Sequence, residues 1–288
     1  MAAKNTIFST KTTFNCHGHL LDLAVPVVMG IINVTPDSFY DGGRWNSEKE
    51  LLLHAERMLN EGASILDIGG MSSKPGATEV TEEEELRRVL PAIAALHKNF
   101  PHAILSIDTW RNTVLNEAVA AGASLVNDIS GGSKDPVLWK TVAQLKLPYI
   151  LMHMQGDPST MQLNPAYQHA VREVFDWFKE KILQLNSLGI YDIILDPGFG
   201  FGKTVKHNFQ LLHQLSVFQL FGLPILAGVS RKSMICKTLN LKPVQALNGT
   251  TVVNTIALLN GASILRVHDV KEAQEAIHLI KELHAAVD

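Results

Sequence analysis

The segment Asp196-Pro-Gly-Phe-Gly-Phe-Gly-Lys203 puts a carboxylate ahead of three glycines at alternate positions. The β-branched run Ile193-Ile194-Leu195 before it predicts a buried strand, and Pro197 stops the ladder from continuing. Glycines at 198, 200 and 202 let the backbone approach a flat ligand closely. Phe199 and Phe201, placed between them, can each cover an aromatic face. A strand-end carboxylate beside such a loop suits a planar heterocycle that presents N–H donors. The phosphate-binding P-loop pattern fails here because position 197 is proline, and G-x-G-x-x-G fails because position 203 is lysine. A purely structural glycine-rich turn stands as the alternative.

The elements that must position this carboxylate emerge from a repeat. Glu61-Gly-Ala-Ser-Ile-Leu-Asp67, Ala121-Gly-Ala-Ser-Leu-Val-Asn127 and Asn260-Gly-Ala-Ser-Ile-Leu-Arg266 share one pattern. In each, a helix-like segment ends on glycine, whose left-handed backbone lets the chain reverse, and a short strand ends on a polar residue. Extending the pattern gives eight strands: Val27–Ile32, Ile65–Ile68, Ile104–Ile107, Leu125–Val126, Tyr149–Met152, Ile193–Leu195, Ile225–Val229 and Ile264–Val267. Helix-like stretches alternate with them, among them Glu48–Asn60, Thr81–Lys98, Arg111–Ala121 and Tyr167–Leu188. Thr81-Glu-Glu-Glu84 reads as a capping box with acidic residues facing the helix dipole. Eight alternations predict an α/β fold of the (β/α)8 TIM-barrel type, one domain over residues 1–288, with residues 5–22 forming an N-terminal β-hairpin.

In such a barrel chemistry gathers at the strands' C-terminal ends. Those ends carry Asn33, Gly69-Gly70, Asp108, Asn127-Asp128, His153, Asp196, Ser230-Arg-Lys232, and Arg266 with His268. Carboxylates, amides and cations are present, with almost no hydroxyl nucleophile. Arg266 and His268 stand two apart, so both project to one face and read as an anion site; a structural ion pair for Arg266 is equally open. Lys232 can hydrogen-bond a carbonyl, form a Schiff base if desolvated, or remain solvated.

Composition narrows the classes. The chain has 288 residues, 46% hydrophobic and 18% charged, with a net charge of −3, which argues against nucleic acid or a membrane surface as partner. Its two cysteines, Cys16 and Cys236, lie far apart, so a reducing cytoplasm is expected. No apolar run suits a signal peptide or a membrane span. A metal-hydrolase barrel competes poorly, since His17-Gly-His19 precedes the first barrel strand and leaves only His153 and His268 at strand ends.

With these motifs assembled, the chain resembles the dihydropteroate synthase family, the folate-pathway enzymes that sulfonamides inhibit. The likeness is carried by Met29-Gly-Ile-Ile-Asn-Val-Thr-Pro-Asp-Ser-Phe39 with Asp41-Gly-Gly43, Ile107-Asp-Thr109, Asn127-Asp128 and Leu151-Met-His-Met-Gln-Gly156. Leu195–Lys203, Ser230-Arg-Lys-Ser233 and Arg266-Val-His-Asp269 complete it, in order, across residues 27–270. The resemblance implies condensation of 6-hydroxymethyl-7,8-dihydropterin pyrophosphate with p-aminobenzoate by a dissociative route with Mg²⁺. It implies pterin contacts at Asp108, Asn127, Asp196, Lys232, Met154 and Phe201. Asn33, Arg266, His268 and Ser73 would hold pyrophosphate, Asn33 through the metal. Phe39, Ser73, Pro75, Lys232 and Ser233 would bound the aminobenzoate pocket. Asp108 would stabilise a pterin-methyl cation, with Lys232, Asp41 and Lys74 also in the catalytic set. Loops 34–47 and 70–80 would close over the site, and the family implies a homodimer.

The chain departs from the family where Gly69-Gly-Met-Ser-Ser-Lys-Pro-Gly76 replaces the usual Gly-Gly-Glu-Ser-Thr-Arg-Pro-Gly, and where Tyr40 replaces a small residue. A non-catalytic pterin-binding paralogue is therefore an alternative. A pterin-dependent methyltransferase is a weaker one, since nothing supplies a corrinoid domain.

Overall fold

Alternation along each strand explains the architecture. The structure, a computed structural model, describes residues 10–34, 44–71, 80–157 and 160–286. Strands β1 (Thr13–Cys16) and β2 (His19–Asp22) form an antiparallel hairpin. Eight parallel strands follow: β3 (Val27–Asn33), β4 (Ala63–Gly69), β5 (Ile104–Asp108), β6 (Leu125–Asp128), β7 (Tyr149–Met152), β8 (Ile193–Asp196), β9 (Leu226–Ala227) and β10 (Ile264–Val267). From β3 to β8 each strand pairs with the next, and β10 joins β3 to β9. A bridge from Leu195 to Ile225, with the Leu195 N–H donating to the Pro224 carbonyl at 2.9 Å, closes the ring. The expected barrel is present, and the hairpin expected over residues 5–22 is observed over 13–22, with residues 5–9 outside the described residues.

The helices are α1 (Arg44–Asn60), α2 (Glu82–Asn99), α3 (Asn112–Ala120), α4 (Leu138–Leu145), α5 (Ala170–Ser187), α6 (Val205–His213), α7 (Ser233–Leu239), α8 (Leu247–Leu259) and α9 (Val270–Ala285). Outward strand residues such as Val28, Leu66, Leu105, Val126, Leu151, Leu195 and Leu265 pack against them in one core. Inward residues build two storeys, because side chains alternate with period two. Met29, Ile65, Ile104, Leu125, Ile150, Ile194, Leu226 and Ile264 form the apolar lower storey, with Phe14, Cys16, Leu21 and Leu23 of the hairpin packed on it. The hairpin therefore plugs the N-terminal end. Two residues further along, the same inward parity yields Asp67, Ser106, Asn127, Met152, Asp196 and Arg266. Polarity thus switches within one turn of the pleat.

Four local expectations need correction. The strand expected at Ile225–Val229 shrinks to Leu226–Ala227, where Pro224 has no N–H to donate and Gly228 has no side chain to pack. Helix α1 begins at Arg44 rather than Glu48, and α5 spans Ala170–Ser187 rather than Tyr167–Leu188. The Thr81 side chain does accept the Glu84 N–H at 3.2 Å, but the Glu84 carboxylate turns to Arg87 and Arg88 instead of completing the box.

Candidate active site

The polar storey is one connected network. Asp67 is fully buried and accepts from Ser106 Oγ at 2.6 Å, Asn127 Nδ2 at 3.0 Å and Arg266 Nε at 2.6 Å. Arg266 reaches on through Nη2 to Asp108 Oδ2 at 2.8 Å. Its guanidinium fork thus bridges two carboxylates, the ion-pair reading that the sequence left open. Burial pushes the Asp108 carboxyl above its ordinary range; Arg266 opposes this and Asp67 adds to it. One N–H of the Asn127 amide is committed to Asp67, which leaves the carbonyl oxygen free to accept from a ligand and the second N–H free to donate.

Asp196 closes β8, and its Oδ1 accepts the Gly198 N–H at 2.7 Å. Gly198 has φ +69°, and a Cβ there would collide with the His153 carbonyl, so only glycine permits this curl. Burial raises the Asp196 carboxyl, while the Gly198 N–H, Lys232, Arg266 and Lys203 pull it back. Lys232 precedes α7 and donates to the Phe199 carbonyl at 2.6 Å, with its ammonium 4.1 Å from the Phe201 ring centroid. Burial pushes that ammonium down to about 8, so it still carries charge in most molecules at neutral pH. The preceding Arg231 has φ +55°, a conformation held by its N–H to Thr250 Oγ1 at 3.1 Å and by an ion pair with Asp269 at 2.5 Å.

His268 differs from a simple cationic reading. Its Nδ1 lies 3.0 Å from Ser230 Oγ, and burial, with Arg231 and Arg266 nearby, pushes it down to about 4. It offers a hydrogen bond rather than a charge. Phe201 and the half-buried Met154 and Met71 belong to one small apolar cluster with Trp110, Ile129, Met152 and Met161. Met71 also accepts from Arg111 Nη1 at 3.5 Å, while Arg111 pairs with the buried Glu85. Ser233 is exposed at the start of α7. Phe39, Tyr40, Asp41, Ser73, Lys74 and Pro75 lie outside the described residues.

Asn33 ends β3 beside Gly69 of β4. A Cβ built on Gly69 would stand 3.8 Å from Asn33 Oδ1 and 3.7 Å from Asp108 Oδ2, so two oxygens flank a place with no side chain. Among the described residues, no three His, Cys, Asp or Glu side chains group to hold a metal. That donor set fits Mg²⁺, which keeps several waters and takes few protein oxygens beside substrate phosphates.

A family model described as pterin binding enzyme matches residues 29–268. The dihydropteroate synthase of Escherichia coli (strain K12) is 47% identical over 266 residues, 92% of this chain and 94% of that protein. This chain belongs to the pterin-binding family of dihydropteroate synthases. Its fold superposes on Yersinia pestis dihydropteroate synthase in a sulfonamide drug complex with TM-score 0.89, at 45% identity, covering 95% of this chain and 100% of that one. The Xanthomonas albilineans enzyme in complex with 7,8-dihydropteroate gives TM-score 0.85 at 38% identity, covering 95% and 99%.

The family's motif positions Asn33, Asp108, Asn127, Asp196, Lys232, Arg266 and His268 all fall at this end of the barrel. Sequence reasoning missed Asp67, because it lies inside the expected strand Ile65–Ile68, ahead of Gly69-Gly70. Inward parity from Ile65 would have found it. Lys203, fully buried beside His153, was missed as well; it surfaced only as a failed P-loop lysine.

Proposed function

We propose that the chain joins 6-hydroxymethyl-7,8-dihydropterin pyrophosphate to p-aminobenzoate, releasing 7,8-dihydropteroate and pyrophosphate, as a transferase of folate biosynthesis. The observation that carries this reading is the convergence of Asp196, Asn127 and Lys232 in the upper storey of a family barrel. An ionised Asp196 accepts the pterin's amino and ring N–H donors, and the Asn127 carbonyl oxygen accepts another. Lys232 directs its charge to the pterin carbonyl side, with Phe201 and Met154 against the ring. Arg266 and the neutral His268 donate to the departing pyrophosphate, and Asp108 offers negative charge to the exocyclic carbon as its C–O bond breaks. The aromatic amine of p-aminobenzoate then forms the C–N bond and loses its proton; being unprotonated at neutral pH, it needs no strong base. Mg²⁺ would be held by Asn33 and would supply positive charge to the pyrophosphate oxygens. Phe39, Ser73, Pro75 and Ser233 are assigned to the aminobenzoate pocket, and Asp41 and Lys74 to its catalytic rim.

The assembly in this reading is a homodimer in the cytoplasm. Helix α8 supports it by leaving Val252, Ile256 and Leu259 exposed on one stripe, a face that a second copy would cover. Both cysteines are free, and no helix among the described residues is long and apolar enough to cross a membrane. Sedimentation at a dimer's mass is the expected result.

A coupled assay of pyrophosphate release tests the activity. Release that depends on p-aminobenzoate supports the synthase. Pterin binding without such release would replace it with the non-catalytic paralogue, for which the Met71, Ser73 and Lys74 departures are the motive.

A further inference from the structure

Lys203 is 1% exposed, and among the described residues no carboxylate bonds its ammonium. Instead Nζ lies 3.2 Å from the His153 carbonyl, 3.0 Å from the Gly198 carbonyl, 3.0 Å from the Phe201 carbonyl and 2.9 Å from His153 Nδ1. Four acceptors surround three N–H donors, a cage suited to a cation and poor for any neutral side chain. The cage spans two loops, the one after β7 that carries Met154 and the one after β8 that carries Phe201. It also grips Gly198, whose carbonyl accepts from Lys203 while its N–H donates to Asp196 Oδ1 at 2.7 Å. One residue therefore links the buried ammonium to the carboxylate.

We propose that Lys203 is a positioning residue of the pterin slot: acting through Gly198, it fixes the curl of residues 197–202, aims Asp196, and supplies the internal counter-charge that Asp196 needs. The inference rests on the reading of Asp196 as the pterin carboxylate. It explains why a lysine is buried where no described carboxylate makes an ion-pair contact with it. A bound pterin reads the aim of Asp196 and the height of Phe201, and both are set by the same cage.

Electrostatics agree in sign. The charged groups facing Asp196 are Lys203, Lys232 and Arg266, and each lowers its carboxyl. Lys203 faces Asp196, Lys232 and an imidazole that burial and Lys203 itself keep neutral. Burial pushes Lys203 down to about 7, and an ionised Asp196 works against that fall. A neutral residue at 203 would raise the Asp196 carboxyl, so the acid limb of pterin binding would move to higher pH.

The test compares the parent chain with Lys203→Met, Lys203→Arg and Asp196→Asn, using calorimetry with a dihydropterin across pH and steady-state kinetics. Lys203→Met should weaken pterin binding by about tenfold or more and raise the acid limb by about one pH unit. The KM for p-aminobenzoate should stay within about twofold, which a general loss of structure would not spare. Lys203→Arg should recover the parent's pH midpoint while binding more weakly, because the larger fork misfits the cage. If Asp196→Asn loses pterin while Lys203→Met keeps the parent's affinity and pH profile, the Lys203 inference is overturned and the Asp196 reading survives. If Asp196→Asn binds like the parent, the Asp196 reading itself fails. Should Lys203→Met not fold, nitrogen-detected NMR of the lysine amines in the parent decides. A protected ammonium at Lys203 in the pterin complex at pH 8 supports the inference, and a neutral amine there overturns it.

Discussion

Asp67→Asn is the most discriminating single change in the polar storey, because it removes a charge while preserving shape. With its oxygen at the Oδ2 position, the amide keeps the contacts from Arg266 Nε and Asn127 Nδ2, now 2.6 and 3.0 Å. Its NH₂ then faces Ser106 Oγ, 2.6 Å from Oδ1 in the parent, and that hydroxyl can rotate to accept. What is lost is the charge assistance on the Arg266 contacts from Nε and Nη2, each at 2.6 Å. The difference between a charged and a neutral hydrogen bond is about 1 kcal/mol per contact, so the loss is about 2 kcal/mol. A chain of this size should melt about 4–8 °C lower. Asp67→Ala should cost more, about 3–5 kcal/mol, because Ser106, Asn127 and Arg266 all lose their acceptor.

The same substitution has a second readout with a fixed sign. The Asp108 carboxyl lies above its ordinary range through burial, with Asp67 pushing it further and Arg266 resisting. Removing the Asp67 charge lowers the Asp108 pKa, so the ionised form persists to lower pH. On our reading that form stabilises the cationic carbon, so the acid limb of kcat/KM should move downward. Calorimetric melting and a pH series of pyrophosphate release measure the two effects on one protein. An unchanged melting temperature, or an acid limb that moves upward, would refute the network as described.

Asp196→Asn should abolish measurable pterin binding, since its NH₂ would face the ligand's donors at about 1–3 kcal/mol or more; calorimetry on the folded variant checks this. Phe14→Ala empties part of the barrel plug and should cost about 3–5 kcal/mol in denaturant titration, with kcat/KM unchanged at 25 °C because the plug lies at the opposite end. Pyrophosphate with Mg²⁺ and a dihydropterin should tighten p-aminobenzoate binding if, as our reading has it, Asn33, Arg266 and His268 form the anion site that completes the aminobenzoate pocket. Equal affinity for the chain alone would show that assembly is not ordered.

The barrel was legible because buried parallel strands read as short apolar runs, and helix-ending glycines separate them. Asp108, Asn127, Asp196 and Arg266 were legible because strand ends are where such barrels expose chemistry. Asp67 was not, although the period that places Ile65 inward places it inward too; it lies inside the apolar run, two residues short of the glycine pair that marks the strand's end. The neutrality of His268 has no sequence signal, since it follows from burial and from Arg231, which lies 37 positions away in the chain. Lys203 posed a similar difficulty. A lysine after glycines looks solvated until four acceptors are found around it.

Charge balance connects these particulars to the reaction. Among the described residues of the upper storey and its loops, Asp67, Asp108 and Asp196 face Arg266, Lys232 and Lys203. Arg266 already serves two of those carboxylates, and Lys203 is caged against backbone carbonyls. Without substrate the site therefore holds little spare positive charge. A pyrophosphate ester brings more than one further negative charge into this enclosed space. Lys232 donates to the Phe199 carbonyl beside the Phe201 ring, and on our reading the pterin carbonyl claims its charge. The remaining compensation must enter with the substrate or from the rim. A divalent ion at Asn33 and the Lys74 ammonium are the two sources that our reading supplies. On our reading, this is why the described residues offer the strand-end amide of Asn33 rather than a metal cage: a divalent ion held there would supply charge to the leaving group.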